Sequence, residues 1–475
     1  MDESIFFATI TELNGKLRAK EFSAEELTRG FCDRLEKLGP RYNALALGLR
    51  EQAIREAKDV DDELKRGRFR GPLQGIPYGA KDLLAAKGGP TTWGAKPYAG
   101  QVFEDEAMVI KKLSKAKAVL CGKLAMVELA GGGGYRYAAA SLQGPGLNPW
   151  DRSRWSGGSS SGSGSAVAAG LVPFALGSET SGSILTPSAF CGVTGLRPTY
   201  GLVSRNGAMA LSWTMDKIGP MCRSAEDCGQ VLQVISGKDN DDPGSAGKSF
   251  YYAPQFAREF KDLTIGYAAV DFAEWAAAEA RPALQQALEV FKRFGSKIVE
   301  VKLEEFPYGP MTNTIITAEG SAIFEDLIRS GKVDQLADEK QIAGLKAGLD
   351  ITAADYLKAM RIRSLVQQEF RKLFVDVDVL LTPARLGPAS KVSDPLDGGG
   401  ALSSGPTPPS RGLRDLIPAG NLAGLPALSL PCGFAGQLPV AVSLVSRPFN
   451  ENTLLAYGVR YQSETDWHRR RPPTA

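Results

Sequence analysis

Gly157-Gly158-Ser159-Ser160-Ser161-Gly162-Ser163-Gly164-Ser165 runs without a break into Ala166-Val167-Ala168-Ala169-Gly170. After the apolar Val172-Pro173-Phe174-Ala175-Leu176 comes a second polar block, Gly177-Ser178-Glu179-Thr180-Ser181-Gly182-Ser183. Taken alone, a glycine-serine run has the composition of a flexible linker. Here it lies between a small-residue segment of helical character and an apolar run that reads as a buried strand, and linkers do not lie between core segments. Glycine permits tight, positive-φ turns whose backbone N–H groups stay uncovered. Two such blocks joined through one helix and one strand can bring hydroxyls and bare amides to one place, as stabilisation of an oxyanion requires.

Outward from this block, helical and strand patterns alternate. Upstream, Ser23-Ala24-Glu25-Glu26 is a capping box ahead of Leu27, Phe31, Leu35 and Leu38, closed by Gly39-Pro40. A charged helix covers 50–65, and Leu73-Gln74-Gly75-Ile76-Pro77-Tyr78-Gly79-Ala80-Lys81-Asp82 reads as a turn feeding a short strand. Ala118-Val119-Leu120-Cys121 and Thr264-Ile265-Gly266-Tyr267 are further buried strands. Helix 282–294, strand 297–301, helix 356–374 and strand 377–383 follow, whereas 394–411, rich in glycine and proline, reads as a long loop. This alternation predicts an α/β fold.

Composition narrows the function. With 43% hydrophobic and 23% charged residues among 475, the chain builds a large core and is neither disordered nor low-complexity. Lys+Arg 56 against Asp+Glu 53 leaves +3, spread along the chain apart from Arg469-Arg470-Arg471, so no nucleic-acid partner is expected. The start, Met1-Asp2-Glu3-Ser4-Ile5, lacks a basic n-region, and no segment reaches ~18 apolar residues, so neither a secretory signal nor a membrane association is expected. Six cysteines without CxxC spacing read as reduced, buried thiols of a cytoplasmic protein. The only histidine, His468, is flanked by Arg469 and reads as a surface or packing residue on a last helix. Zinc sites with several imidazoles are thereby excluded, and no metal or cofactor is expected.

A serine nucleophile then needs a base other than histidine. Burial lowers an ammonium pKa towards neutrality, and Lys81 follows a turn among Ile76, Pro77, Tyr78, Ala80, Leu83 and Leu84. The residues point to Ser/Lys chemistry.

Residues 157–163 and 177–187 together closely resemble the signature block of the amidase signature family, and the resemblance extends over nearly the whole chain. Gly75-Ile76-Pro77-Tyr78-Gly79-Ala80-Lys81-Asp82 is similar to that family's lysine segment. Phe190-Cys191-Gly192-Val193-Thr194-Gly195-Leu196-Arg197-Pro198-Thr199, Asn421-Leu422-Ala423-Gly424-Leu425-Pro426-Ala427 and Pro431-Cys432-Gly433-Phe434 fit as well. The resemblance implies Ser183 as nucleophile, Ser159 after a cis Gly158-Ser159 bond as the bridging serine, and Lys81 as base. It also implies an oxyanion hole from the backbone of Thr180, Ser181 and Gly182. The implied fold is one domain over 1–475 with a large mixed sheet covered by helices on both faces, often assembled as a homodimer. Within it, 1–70 would supply N-terminal helices, 71–235 the catalytic core, 236–420 a variable substrate-side region and 421–475 a return to the core.

Two positions depart from the signature: Ser181 stands where the family usually has glycine, and Leu185 where it has arginine. Glu179 replaces the commoner aspartate and would brace the turn. Thr465-Asp466-Trp467-His468 is similar to the glutaminase subunit of tRNA-dependent amidotransferases. That subunit grips glutamine's carboxylate with an arginine in a segment that reads here Ile342-Ala343-Gly344-Leu345-Lys346-Ala347-Gly348-Leu349. The acidic residue expected before Asn421 is also out of register, with Arg414 in its place and Asp415 next. A free-standing amidase is therefore expected, the glutaminase subunit being the alternative and a non-catalytic scaffold the third. Leu129-Ala130-Gly131-Gly132-Gly133-Gly134-Tyr135 is either a tight turn or an open, mobile wall. As a wall, Gly131, Gly132, Gly133 and Tyr135 would join Trp213, the helix around 314–322 and the loop 394–411 around a pocket for bulky aryl amides, esters or carbamates.

Overall fold

The computed structural model describes residues 1–396 and 412–473. At the N-terminus, Ser23 Oγ accepts the Glu26 N–H while the Glu26 carboxylate accepts the Ser23 N–H, so the helix Ala24–Leu38 starts where the capping box places it. The charged helix Arg50–Lys65 packs beside it.

The strands run in chain order as β1 (Leu45–Gly48), β2 (Pro77–Lys81), β3 (Val119–Leu124), the small hairpin β4 (Leu147–Asn148) and β5 (Asp151–Trp155), β6 (Phe174–Glu179), β7 (Thr194–Arg197), β8 (Lys217–Cys222), β9 (Thr264–Tyr267), β10 (Lys297–Glu300), β11 (Val379–Pro383), β12 (Ala427–Ala435) and β13 (Leu438–Ser446). All but the hairpin form one 11-stranded sheet ordered β1-β3-β2-β6-β8-β7-β12-β13-β11-β9-β10. It is mixed: β3, β2 and β6 are parallel, as are β11, β9 and β10, and the strands between pair antiparallel.

Side chains alternate between two apolar clusters as a period of two requires. Val379 and Leu381 enter the larger cluster, and Leu380 enters the second with Val366 and Phe370. All six cysteines are buried and free. Among the described residues no helix is long and apolar enough to cross a membrane.

Most expected elements are present with shifted ends. The helix expected at 356–374 starts earlier, at Ala353, because Thr352 caps it by accepting the Asp355 N–H. β6 runs three residues past the expected apolar stretch, through Gly177-Ser178-Glu179, because antiparallel pairing with β8 carries those polar residues into the sheet. His468 lies in a separate short turn, Trp467–Arg469, after the last helix Glu451–Glu464; it is buried, a packing residue. Of the expected loop 394–411, all but 394–396 lies outside the described residues.

Candidate active site

β2 and β6 are parallel neighbours, with Tyr78 opposite Phe174 and Ala80 opposite Leu176, so both strands deliver their C-terminal residues to one edge of the sheet. Ligand sites in α/β sheets form at such edges. Gly79 makes room for this: a Cβ there would stand 2.5 Å from Leu124 Cδ1, at the point where the β2–β3 register shifts. Asp82 pairs with Lys123 at 2.9 Å. Lys81 is completely buried and has no carboxylate within ion-pair distance among the described residues. Its Nζ donates to Ser159 Oγ at 2.7 Å and to Ser178 Oγ at 2.9 Å. Desolvation lowers its pKa to about 7 against the smaller opposing pull of Asp216 and Glu179.

The two serine blocks are stitched together by their own polar groups. Gly158-Ser159 is cis, and the helix Ser161–Ala168 follows directly. The Ser160 N–H donates to the Ser183 carbonyl at 3.3 Å, the Ser160 hydroxyl donates to the Ser178 carbonyl, and the Ser163 hydroxyl donates to the Leu176 carbonyl at 3.0 Å. Beyond β6, Thr180-Ser181-Gly182 makes a turn that needs glycine at its end, with Gly182 at φ 88°, and Ser183 sits two residues before the helix Leu185–Cys191. The structure thus brings Lys81, Ser159 and the 180–183 turn together.

Glu179 fixes that turn. One carboxylate oxygen accepts the N–H groups of Ile184 at 2.9 Å and Leu185 at 3.0 Å; the other accepts from Arg197 at 2.9 Å and Asn421 at 2.8 Å. Burial pushes its pKa up, but the Arg197 charge and these hydrogen bonds outweigh burial and hold it at about 2. Asp216 supports the other side: it accepts from Thr180 Oγ1 at 2.6 Å and from the N–H groups of Leu211 and Ser212. Sequence reasoning gave Ser178, Asp216 and Lys217 no role. The only available signal was a carboxylate and an ammonium leading into the apolar strand β8. Lys217 stands opposite Glu179 in the sheet, fully buried, and burial together with the Arg197 charge drives its pKa well down.

The glycine run is a tight turn and not an open wall. At Gly133 (φ 81°) a Cβ would lie 2.6 Å from the Gln341 carbonyl oxygen and 2.7 Å from the Leu345 nitrogen, so the turn packs backbone against the helix Glu339–Gly348. A Cβ on Gly131 would strike the Tyr135 ring, and one on Gly132 would strike Leu211. Glu128, its pKa raised to about 7 by burial, accepts the N–H groups of Ala337 and Asp338 and pins the same helix. Tyr135 meets Trp155 edge-on at 6.2 Å, and its hydroxyl is 3.2 Å from where a Cβ on Gly158 would stand. Trp213 is exposed on the rim of a cavity of about 210 Å³, lined also by Ser178, Thr180, Met209 and Lys217. The helix expected near 314–322 is part of Tyr308–Ile323.

The family model described as Amidase matches residues 26–455. The chain belongs to the amidase family. This amidase is 36% identical to a glutamyl-tRNA(Gln) amidotransferase subunit of Carboxydothermus hydrogenoformans, over 98% of this chain and 99% of that protein. It is 37% identical to the corresponding subunit of Moorella thermoacetica, over 98% and 99%. The solved peptide amidase of Stenotrophomonas maltophilia superposes with a TM-score of 0.83 at 29% identity, over 98% of each chain. A bacterial aryl acylamidase, at 22% identity, superposes with a TM-score of 0.85 over 99% of this chain and 100% of that one, and shares the fold. The protein is thus an amidase signature hydrolase acting on amides. In this amidase Leu185 is packed with Met215 and Leu416 in an apolar cluster. Arg414 lies over the Trp275 ring at 4.2 Å and 3.8 Å from Asp415.

Proposed function

We propose that this amidase is a free-standing hydrolase of carboxamides, working through an acyl-enzyme on Ser183 in a single domain. Neutral Lys81 draws the proton of Ser159 as Ser159 Oγ takes that of Ser183, and Ser183 Oγ attacks the carbonyl carbon. The backbone N–H groups of Thr180, Ser181 and Gly182 receive the oxyanion. As the tetrahedral intermediate collapses, the C–N bond breaks and the amine leaves with a proton returned through Ser159. Water, deprotonated by the same route, then releases the acid and restores Ser183. The observation that carries this reading is the buried Lys81–Ser159 contact of 2.7 Å, with the lysine's pKa brought to about 7 by desolvation.

A second reading, the glutaminase subunit of a tRNA-dependent amidotransferase, is favoured by the 36% and 37% identities to proteins of that kind. The site argues against it: 342–349 contains no arginine, and the helix that carries it is locked against the glycine turn. The apolar wall of the cavity beside Ser178 and Thr180 supports aryl-sized groups, so aryl amides, esters and carbamates are the substrates to try. Wild type and Ser183→Ala are compared on a panel of chromogenic aryl amides, esters and carbamates together with glutamine. Aryl turnover without glutamine turnover, abolished in Ser183→Ala, is the expected result. Glutamine turnover alone, dependent on a partner protein, would replace this reading by the second.

A further inference from the structure

We infer that Arg385 is a substrate-recognition residue, binding a carboxylate carried by the amide substrate; this rests on the proposed amide hydrolysis. Arg385 follows β11 by two residues, and its side chain is exposed. A surface arginine open to bulk water keeps its ordinary pKa, yet the protein around Arg385 desolvates it and pulls its pKa down. Open to solvent on one side, the guanidinium is packed on the other against the Phe190 ring, at the mouth of a recess.

The walls of that recess are aromatic. The guanidinium carbon stands 5.8 Å from the centroid of the Phe190 ring, and Trp155 meets Phe190 edge-on at 6.2 Å. Tyr135 is the group whose titration feels the Arg385 charge, and its hydroxyl is 3.2 Å from where a Cβ on Gly158, the residue before Ser159, would stand. The recess therefore adjoins the serine that contacts Lys81.

Among the described residues its polar groups lack partners. Arg385 makes no hydrogen bond or ion pair with any described residue. Trp155, itself almost wholly buried, has an indole N–H with no acceptor among the described residues. Buried donors are ordinarily satisfied, so an unpaired indole one ring away from an unpaired guanidinium points to an acceptor supplied from outside. The neighbouring Arg154 is already engaged, donating to the Ala389 carbonyl and lying 3.7 Å from Asp151. One free planar fork with apolar flanks matches a carboxylate, which it can hold through two parallel N–H···O bonds.

The test pairs two 4-nitroanilides of equal chain length, the succinic half-amide, which is anionic, and the neutral butyric amide, on wild type, Arg385→Ala and Arg385→Lys. Wild type is expected to favour the anionic member at least tenfold in kcat/KM. Arg385→Ala should erase that preference through KM, and Arg385→Lys should keep part of it. Equal losses on both substrates, or an unchanged ratio, overturn the assignment. Should Ser183→Ala retain full turnover, the amidase reading fails separately. Calorimetric binding of succinate to Ser183→Ala then decides for Arg385: binding lost on adding Arg385→Ala sustains it, and no binding with Arg385 present overturns it.

Discussion

Moving this amidase from pH 9 to pH 6 should cost it most of its activity, by an amount that Lys81 sets. In the proposed mechanism the lysine works only when neutral, and its burial places its pKa at about 7 in place of 10.5. At pH 6 about a tenth of it is neutral, so kcat/KM on an uncharged anilide should be ~tenfold below a plateau reached near pH 8. An unshifted lysine would be only about 3% neutral at pH 9, with the rate still climbing ~tenfold per pH unit. The profile is measured with a neutral aryl amide so that no substrate group titrates. His468 cannot supply the inflection, because burial and the charges of Arg469 and Arg223 hold it at about 4. Glu128, raised to about 7 by burial, titrates in the same window, so Glu128→Gln serves as the control and should leave the inflection in place. A rate still rising beyond pH 9, or an inflection that disappears with Glu128→Gln, would refute the assignment. Stability follows the same shift. The folded pKa lies below the unfolded one, so the unfolded chain holds the extra proton, and stability contributed by this group rises with pH between about 7 and 10.5.

Glu179→Gln strips the partner from a fully buried Arg197 and should lower unfolding stability by ~3–5 kcal/mol, read as a fall in the urea midpoint. The carboxylate's own contribution is present above the ordinary carboxyl value of 4.5 and is lost as pH falls through about 2, so an unchanged midpoint at pH 7 would count against the brace. Gly133→Ala puts a methyl into the backbone of the helix Glu339–Gly348 at a positive φ and should cost ~1–3 kcal/mol in the same assay; a neutral effect would return that run to the open-wall reading. Ser183→Ala and the two Arg385 variants complete the set.

The sequence was legible where physics is local. Ser23 and Glu26 announce a helix start by themselves, and Gly295 an end. Lys81 was legible because its neighbours are apolar, and burial of an amine has one consequence. Ser178 was not, since its role comes from β2 lying beside β6, a fact of strand order that no window of sequence contains. The glycine run 131–134 stayed open between a tight turn and a wall for the same reason: its density is imposed by a helix two hundred residues away, and sequence spacing carries no trace of that contact. Arg385 reads as an ordinary charged loop residue until Phe190, Trp155 and Tyr135 are seen around it.

The position of β12 and β13 in the sheet has a consequence for how the chain can be made. They are the last strands to be synthesised, yet they lie in the middle, joining β7 to β11, and Asn421 just ahead of them donates to Glu179. A growing chain therefore carries Lys81, Ser159 and Ser183 long before it holds what keeps them in place. Until the final segment arrives, β7 presents a bare edge able to pair with any other strand. The enzyme should be silent and prone to association through most of its synthesis, and a chain ending before Asn421 should keep the proposed reactive groups but lack a closed sheet.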